Sequence, residues 1–208
     1  MRLTYATLGS FLKYPWLADN PLAQAKGKYG ALQSEGEILA QIADRLGLIQ
    51  LGKNHWCRHP LVYLMEAADD ICYAIVDLED GVELGILDEA DVMTLLAPII
   101  GPSQVPERTS LTDGYYSTRR LALLRGKVID YLVNACAQAF IEQEQVLLRG
   151  QLDGDLIAYA DPVAKQIIGD AKQLARQRIF TSPQRHRTEL GASAVLEKIL
   201  DGFVPAAL

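Results

Sequence analysis

Six carboxylates lie in the segment from Arg58 to Gly81, although most of its other residues are apolar. They are Glu66, Asp69, Asp70, Asp77, Glu79 and Asp80. On a helix turning about 100° per residue, Asp69, Asp80, Glu66, Asp77 and Asp70 fall within about 100° of one another, together with Tyr73. An ionised carboxylate is costly to bury unless it is paired, hydrogen-bonded or bound to a metal. The stripe is therefore expected to face solvent, cations or a cleft.

Two interpretations of this acidic stripe are open. In the first, it is a solvated face whose members pair with Arg58 or with another basic helix. In the second, it is the wall of a cleft, because Tyr73 stands among the acids and apolar residues crowd both flanks. One carboxylate would then bind a divalent cation, and another would hydrogen-bond a hydroxylated ligand.

The elements that must position these residues are predicted to be helices. Apolar residues recur at helical spacing through most of the chain, and no alternating strand pattern of useful length is present. The acidic segment is expected to begin a helix near Pro60 and to end it near Asp80, before Gly81. Gly47 is a predicted helix C-cap, whereas the first amphipathic segment, from Leu3 to Leu12, offers no obvious cap. The predicted fold class is all-α.

Composition limits the possible functions. The chain has 208 residues, 50% of them hydrophobic, and a formal net charge of -6, so nothing in its overall charge favours non-specific nucleic-acid binding. Three cysteines in no repeated spacing predict a reducing compartment and no disulfide framework. Because no apolar run is long enough for a membrane span, we expect no membrane association and a cytoplasmic location.

Three sequence blocks resemble one known family. "RHPLVYLMEAADDICYAIVDLEDG", "LTYATLGSFLKYP" and "KGKYGALQSEG" are similar to motifs of the deoxyguanosinetriphosphate triphosphohydrolases (dGTPases) of the HD-domain superfamily. The stretch "RQRIFTSPQRHRTELGASAVLEKIL" fits more loosely. The resemblance implies an HD-domain-like helical bundle in which residues 1–100 complete the active-site core and residues 101–208 form a C-terminal helical region. It also implies metal-dependent hydrolysis of dGTP or another dNTP to deoxynucleoside and triphosphate.

The resemblance also implies roles for individual residues. Asp69 matches the last metal ligand of the family, which would hold Mg²⁺, Mn²⁺ or a similar divalent ion. Tyr73 and Asp77 match residues that line the sugar, where a tyrosine ring under the deoxyribose would exclude a 2′-hydroxyl group. Contacts with phosphate are expected from Lys13 and Tyr14, and additional positive charge there from Lys28 or Lys26. Family members often form hexamers and respond to nucleotides or single-stranded DNA, so a homo-oligomer and such an effector are expected here.

The sequence departs from the family pattern at the metal. The first ligands of the family are a histidine and a His-Asp pair, but this chain has no His-Asp dipeptide and only three histidines. We therefore expect the chain to correspond to the C-terminal part of a dGTPase and to be inactive alone, because one aspartate cannot hold a catalytic metal. The alternative is a non-catalytic oligomerisation or nucleotide-binding module. Apolar surface around Leu8, Phe11 and Trp16 is expected to be exposed and to promote self-association.

Other chemically suggestive groups have simpler interpretations. His55, Cys57 and His59 could form a zinc site, but Pro60 disfavours a helix there, and Arg58 with His59 could instead anchor the connector to the helix N-terminus or to neighbouring carboxylates. Two basic clusters, at 119–127 and 176–187, are either solvated faces or effector sites. No phosphate-binding glycine loop or nucleophile-elbow motif is present.

Overall fold

The computed structural model describes residues 3–101 and 114–207, with side chains described for 3–101, 121–183 and 185–204. The helices in this part are α1 (Tyr5–Phe11), α2 (Pro21–Lys26), α3 (Gly36–Leu46), α4 (Pro60–Glu83), α5 (Glu89–Ile100), α6 (Gly114–Glu142), α7 (Glu144–Leu148), α8 (Pro162–Leu174) and α9 (Pro183–Ala207). Short 3₁₀ turns cover Gln33–Glu35 and Leu156–Tyr159, and a π-helical turn, Ala175–Ile179, follows α8. The prediction of an all-α fold is confirmed.

The chain divides into two compact units, each built from two stretches of sequence. The first contains residues 1–72 and 129–165, and the second contains residues 73–128 and 166–208. The predicted partition at residue 100 concerned functional roles and stays a prediction. Within the described ranges, none of the helices has the length and apolarity that crossing a membrane requires.

Local capping explains where the helices of the first unit begin and end. The expectation that α1 lacks a cap is wrong, because the Thr4 hydroxyl accepts a hydrogen bond from the Thr7 N–H at 3.1 Å, which satisfies one free donor of the first turn. Gly47 closes α3 as predicted, with φ of 64°. Only glycine adopts this left-handed conformation without strain.

A short hairpin between α3 and α4 was not predicted. Strands β1 (Gln50–Gly52) and β2 (His55–Trp56) pair antiparallel in a segment that the sequence marked only as a connector. His55 also forms an isolated antiparallel bridge with Trp16. This bridge helps to cover Trp16, which is only 6% exposed, so the expectation of an exposed apolar surface is wrong for Trp16. It holds for Phe11, which is 63% exposed.

Helix α4 begins at Pro60 as predicted but does not end before Gly81. It continues to Glu83 because Gly81 is buried where α4 meets neighbouring side chains of the second unit. A Cβ at this position would lie 2.8 Å from Leu87 Cδ1 and 2.9 Å from Ile179 Cδ1. The glycine therefore serves close packing, and the chain turns only at Gly85, with φ of 67°.

Replacing Gly81 with alanine tests this packing. Gly81→Ala should lower the free energy of unfolding by about 1 kcal/mol, because the cost of overpacking exceeds the gain in helix propensity. Gly126→Ala is the matched control, since Gly126 lies inside α6 with open space around the added methyl group, and it should raise the free energy of unfolding by about 0.5–1 kcal/mol. Urea denaturation measures both, and equal stabilisation by the two variants would contradict the packing role of Gly81.

The last helix, α9, buries few of its apolar side chains against the rest of the described chain. Every described side chain from His186 to Val204 is exposed. The exposed apolar residues are Leu190, Val195, Leu196, Ile199, Leu200, Phe203 and Val204. Those from Val195 onwards are separated by alternating steps of one and three residues, which places them along one side of the helix.

Candidate functional site

Helix α4 presents Asp69, Tyr73 and Asp77 along one face. The three residues are four positions apart on a continuous helix, so their side chains follow one another turn by turn. Asp69 is exposed, Tyr73 is 63% exposed and Asp77 is partly buried. A large aromatic side chain exposed between two carboxylates can pack against a sugar ring while the acids bind its hydroxyl groups or a cation.

Two glutamates of α4, Glu66 and Glu79, form ion pairs with cations. In the first unit, Glu66 contacts Lys13 and Arg58 at 3.1 and 2.6 Å. In the second unit, the buried Glu79 accepts a hydrogen bond from the Arg125 guanidinium group. Glu66 and Glu79 therefore carry ion pairs of α4, whereas Asp69 and Tyr73 are exposed.

The described residues do not by themselves form a metal site. No group of three or more histidine, cysteine, aspartate or glutamate side chains within residues 3–101 and 121–204 is arranged to hold an ion. Asp69 could therefore supply one ligand, but a site able to hold a catalytic metal needs several. The described side chains alone therefore do not fit a catalytic divalent ion.

Three residues expected near phosphate lie together in the first unit. Lys13 and Tyr14 are consecutive, and Lys28 Nζ lies 5.7 Å from the centroid of the Tyr14 ring. Tyr14 also packs on Trp16 with ring centroids 5.4 Å apart, and Lys26 Nζ lies 5.4 Å from the centroid of a Trp16 ring. Both lysines named as alternatives therefore approach this aromatic pair, which gathers positive charge beside Lys13.

The backbone at Tyr14 is fixed by a close approach that requires glycine. Gly30 N–H donates to the Trp16 carbonyl at 3.2 Å. A Cβ on residue 30 would lie 2.3 Å from the Tyr14 carbonyl oxygen, which is too close for any side chain. The Trp16 indole N–H also donates to the Lys28 carbonyl at 2.9 Å. These contacts hold the segments that carry Lys13, Tyr14 and Lys28 against each other.

His59 and Arg58 anchor the N-terminal end of α4, as one of the two sequence interpretations predicted. His59 Nδ1 accepts a hydrogen bond from the Leu61 N–H at 3.2 Å, which caps the first turn. Burial lowers the pKa of His59, which favours the neutral ring that this acceptor role requires. Arg58 contacts Glu66 and the Gly154 carbonyl, each at 2.6 Å.

The chain is similar to several known proteins whose names all contain the term deoxyguanosinetriphosphate triphosphohydrolase. The chain is 47% identical over 209 residues to a deoxyguanosinetriphosphate triphosphohydrolase-like protein of Pseudomonas aeruginosa (strain LESB58), with all of this chain and 47% of that protein covered. It is 35% identical over 221 residues to a protein of the same name from Synechocystis, with 100% and 48% covered. A deoxyguanosinetriphosphate triphosphohydrolase of Serratia proteamaculans is 31% identical over 224 residues, with 99% and 43% covered.

Over its whole length, the chain is homologous to part of the dGTPase-like proteins. This homology confirms the resemblance seen in the three sequence blocks. The chain spans about half the length of the curated relatives it matches, which agrees with the expectation that it corresponds to one part of such a protein. No protein-family model matches it.

Arg185 is a residue near the dGTPase-like motif whose position the sequence did not predict. It was placed only in the basic cluster 176–187, yet its positive charge reaches Asp77, where it partly offsets the rise in pKa that burial and Asp80 cause. The Arg185 guanidinium group also lies 4.4 Å from the Phe180 ring centroid and pairs with Glu189 at 2.8 Å. Since Arg185 follows Asp77 by more than 100 residues, no local pattern could have indicated this proximity.

The structure describes the side chains of only part of the basic cluster at 119–127. The side chains of Arg119 and Arg120 lie outside the described residues. Arg125 binds Glu79, which assigns it a structural role. In the other cluster, Arg176, Arg178 and Arg187 are exposed. An effector site at either cluster stays a prediction.

The ionised form of Asp77 is expected to lower the stability of the folded state. Burial and the nearby Asp80 raise its pKa above 3.8, and the opposing effect of Arg185 is smaller. The ionised carboxylate therefore destabilises the folded state at every pH above its raised pKa. Asp77→Asn should raise the melting temperature at pH 7, and this gain should disappear as the pH falls through the raised pKa to below 3.8.

Thermal unfolding followed by circular dichroism between pH 3 and pH 8 measures this dependence. Asp80→Asn is the matched control, because it should lower the pKa of Asp77 in a carboxyl NMR titration while leaving the Asp77 side chain in place. A loss of stability in Asp77→Asn at pH 7 would contradict the assigned direction.

Proposed function

We propose that the chain is part of a metal-dependent dNTP triphosphohydrolase that converts dGTP or another dNTP to deoxynucleoside and triphosphate. The observation that carries this proposal is the exposed face of α4, on which Asp69, Tyr73 and Asp77 recur every four residues. Homology to the dGTPase-like proteins supports it. The protein would act in the cytoplasm.

Each residue has a role that suits its chemistry. Asp69 supplies one ligand to a divalent ion such as Mg²⁺ or Mn²⁺, whose other ligands come from outside this chain. Tyr73 packs against the deoxyribose, and Asp77 accepts a hydrogen bond from the sugar. Lys13, Tyr14 and Lys28 contact the triphosphate, for which the clustered ammonium groups are suitable point-charge donors.

A second candidate function is nucleotide binding without hydrolysis. The lack of any three-ligand group among the described side chains favours it for the chain alone. The phosphate-binding and sugar-binding residues could still recognise a nucleotide in this case. The two functions differ in whether triphosphate is released.

Calorimetry of the isolated chain with dGTP and GTP tests the assigned sugar contact. We expect dGTP to bind at least about tenfold more tightly than GTP, because the Tyr73 ring excludes a 2′-hydroxyl group. Tyr73→Ala should reduce this difference, whereas Tyr5→Ala, which removes an exposed tyrosine of α1, should not. Equal affinity of the wild-type chain for dGTP and GTP would contradict the role of Tyr73.

Activity must be tested after the missing ligands are supplied. We expect no release of triphosphate by the chain alone. A fusion with the residues of the P. aeruginosa relative that this chain does not match should release triphosphate from dGTP when Mg²⁺ or Mn²⁺ is present. Asp69→Ala in that fusion should abolish the release, and unchanged turnover would reject Asp69 as a metal ligand.

The homo-oligomer expected from the family has a candidate surface on α9. Its exposed apolar side bears Val195, Leu196, Ile199 and Leu200, and such a surface is typical of a protein contact. A partner chain or effector, including a nucleotide or single-stranded DNA, would act through surfaces of this kind or through the basic clusters.

Light scattering after size-exclusion chromatography tests self-association. We expect the wild-type chain to form assemblies larger than a monomer, and Leu196→Glu to dissociate them by placing a charge in the contact. Ile141→Glu is the control, because Ile141 is also exposed (65%, against 57% for Leu196) but lies on α6. A monomer at high concentration would argue against this surface.

A further inference from the structure

The Glu66 carboxylate accepts contacts from two cations at once. Its Oε1 atom lies 3.1 Å from Lys13 Nζ, and its Oε2 atom lies 2.6 Å from Arg58 Nη1. The Glu66 side chain is 13% exposed, so few water molecules can reach it. Both oxygens therefore depend on protein donors, and loss of all cations would leave an ionised group almost buried.

Arg58 is held in place by contacts that do not involve Lys13. Its Nη2 atom donates to the Gly154 carbonyl at 2.6 Å, and its guanidinium carbon lies 4.2 Å from the Tyr63 ring centroid. The Tyr63 hydroxyl in turn donates to the Leu152 carbonyl at 3.0 Å. A planar guanidinium group fixed at two edges and one face is a rigid partner for a carboxylate.

Lys13 is the looser of the two partners. Its side chain is 30% exposed, against 21% for Arg58. It makes a single ion pair through a flexible stem. Partial burial disfavours its charged form, but the hydrogen bond and the attraction of Glu66 outweigh this effect and raise the pKa of Lys13. The ammonium group thus remains charged whichever anion it contacts.

The Glu66 carboxylate and a phosphate group would both attract Lys13, and the second cation at Glu66 lessens this competition. If Lys13 binds a phosphate group as proposed above, it must leave Glu66 or share itself between two negative charges. With Lys13 as its only partner, Glu66 would lose its pairing each time phosphate bound. With Arg58 already bound to its second oxygen, Glu66 remains paired.

We propose that Arg58 is a positioning residue for anion binding. By keeping its own ion pair with the Glu66 carboxylate, it allows Lys13 to move from this carboxylate to a phosphate group. This inference rests on the phosphate role of Lys13 in the proposed function. Arg58 acts through Glu66 and does not touch the anion. Its effect on anion affinity must therefore depend on the presence of the Glu66 charge.

A double-mutant cycle with inorganic tripolyphosphate as the probe tests this dependence. Calorimetry should show that Arg58→Gln weakens binding to the intact chain by about tenfold. In a Glu66→Gln background, where no buried charge needs a partner, the same change should weaken binding by less than about threefold. Lys53→Gln removes one exposed positive charge of the same unit and should weaken binding by similar small factors in both backgrounds.

The outcomes separate the inference from the proposed function. A tenfold loss from Arg58→Gln in both backgrounds, or no loss in either, would show that Arg58 does not act through Glu66, and would overturn the inference. If Lys13→Gln leaves tripolyphosphate affinity unchanged, the phosphate role of Lys13 fails and the inference fails with it. If Lys13→Gln weakens binding but the cycle is additive, only the inference fails.

A measurement on the wild-type chain avoids any folding defect of the variants. In an NMR titration with tripolyphosphate, the Lys13 Cε signal should shift while the Arg58 Nε–Hε signal stays within the line width. A shift of Arg58 as large as that of Lys13 would mean that the guanidinium group contacts the anion, which would overturn the positioning role.

Discussion

Desolvation of carboxylates on α4 is the constraint on which the rest of the structure depends. The helix carries its apolar residues into both compact units, and some of its acids are drawn inward with them. Glu79 is buried against Arg125, and Glu66 lies between Arg58 and Lys13. Asp69, on the same helix, is exposed.

Close backbone packing is the second requirement, and glycine meets it at two places. Gly30 allows the loop after α2 to lie against the carbonyl of Tyr14, and Gly81 allows α4 to pack against Leu87 and Ile179. Neither position has the positive φ that usually explains a glycine. Their role is to remove a Cβ, so that the segment bearing Lys13 and the second half of α4 are both held without strain.

The features that sequence could predict are those set by local chemistry. Proline at the first helical position marked the start of α4, and Gly47 marked the end of α3. The acidic face followed from the period of the helix. Burial of Trp16 and passage of α4 through Gly81 depend on contacts with distant residues, such as His55 and Ile179. Such contacts leave no periodic signal, so the sequence interpretation failed at both.

The acidic residues of α4 also differ in the charged groups that surround them, and this difference bears on function. Glu66 has two cations at contact distance, which makes its ionised form compatible with folding. Asp77 has a raised pKa from burial and from Asp80, with only partial relief from Arg185. A carboxylate with a raised pKa on a helix that is otherwise packed is a candidate for ligand binding. The proposed sugar contact would offset this cost, because a hydroxyl group that donates a hydrogen bond to the Asp77 carboxylate stabilises its charged form.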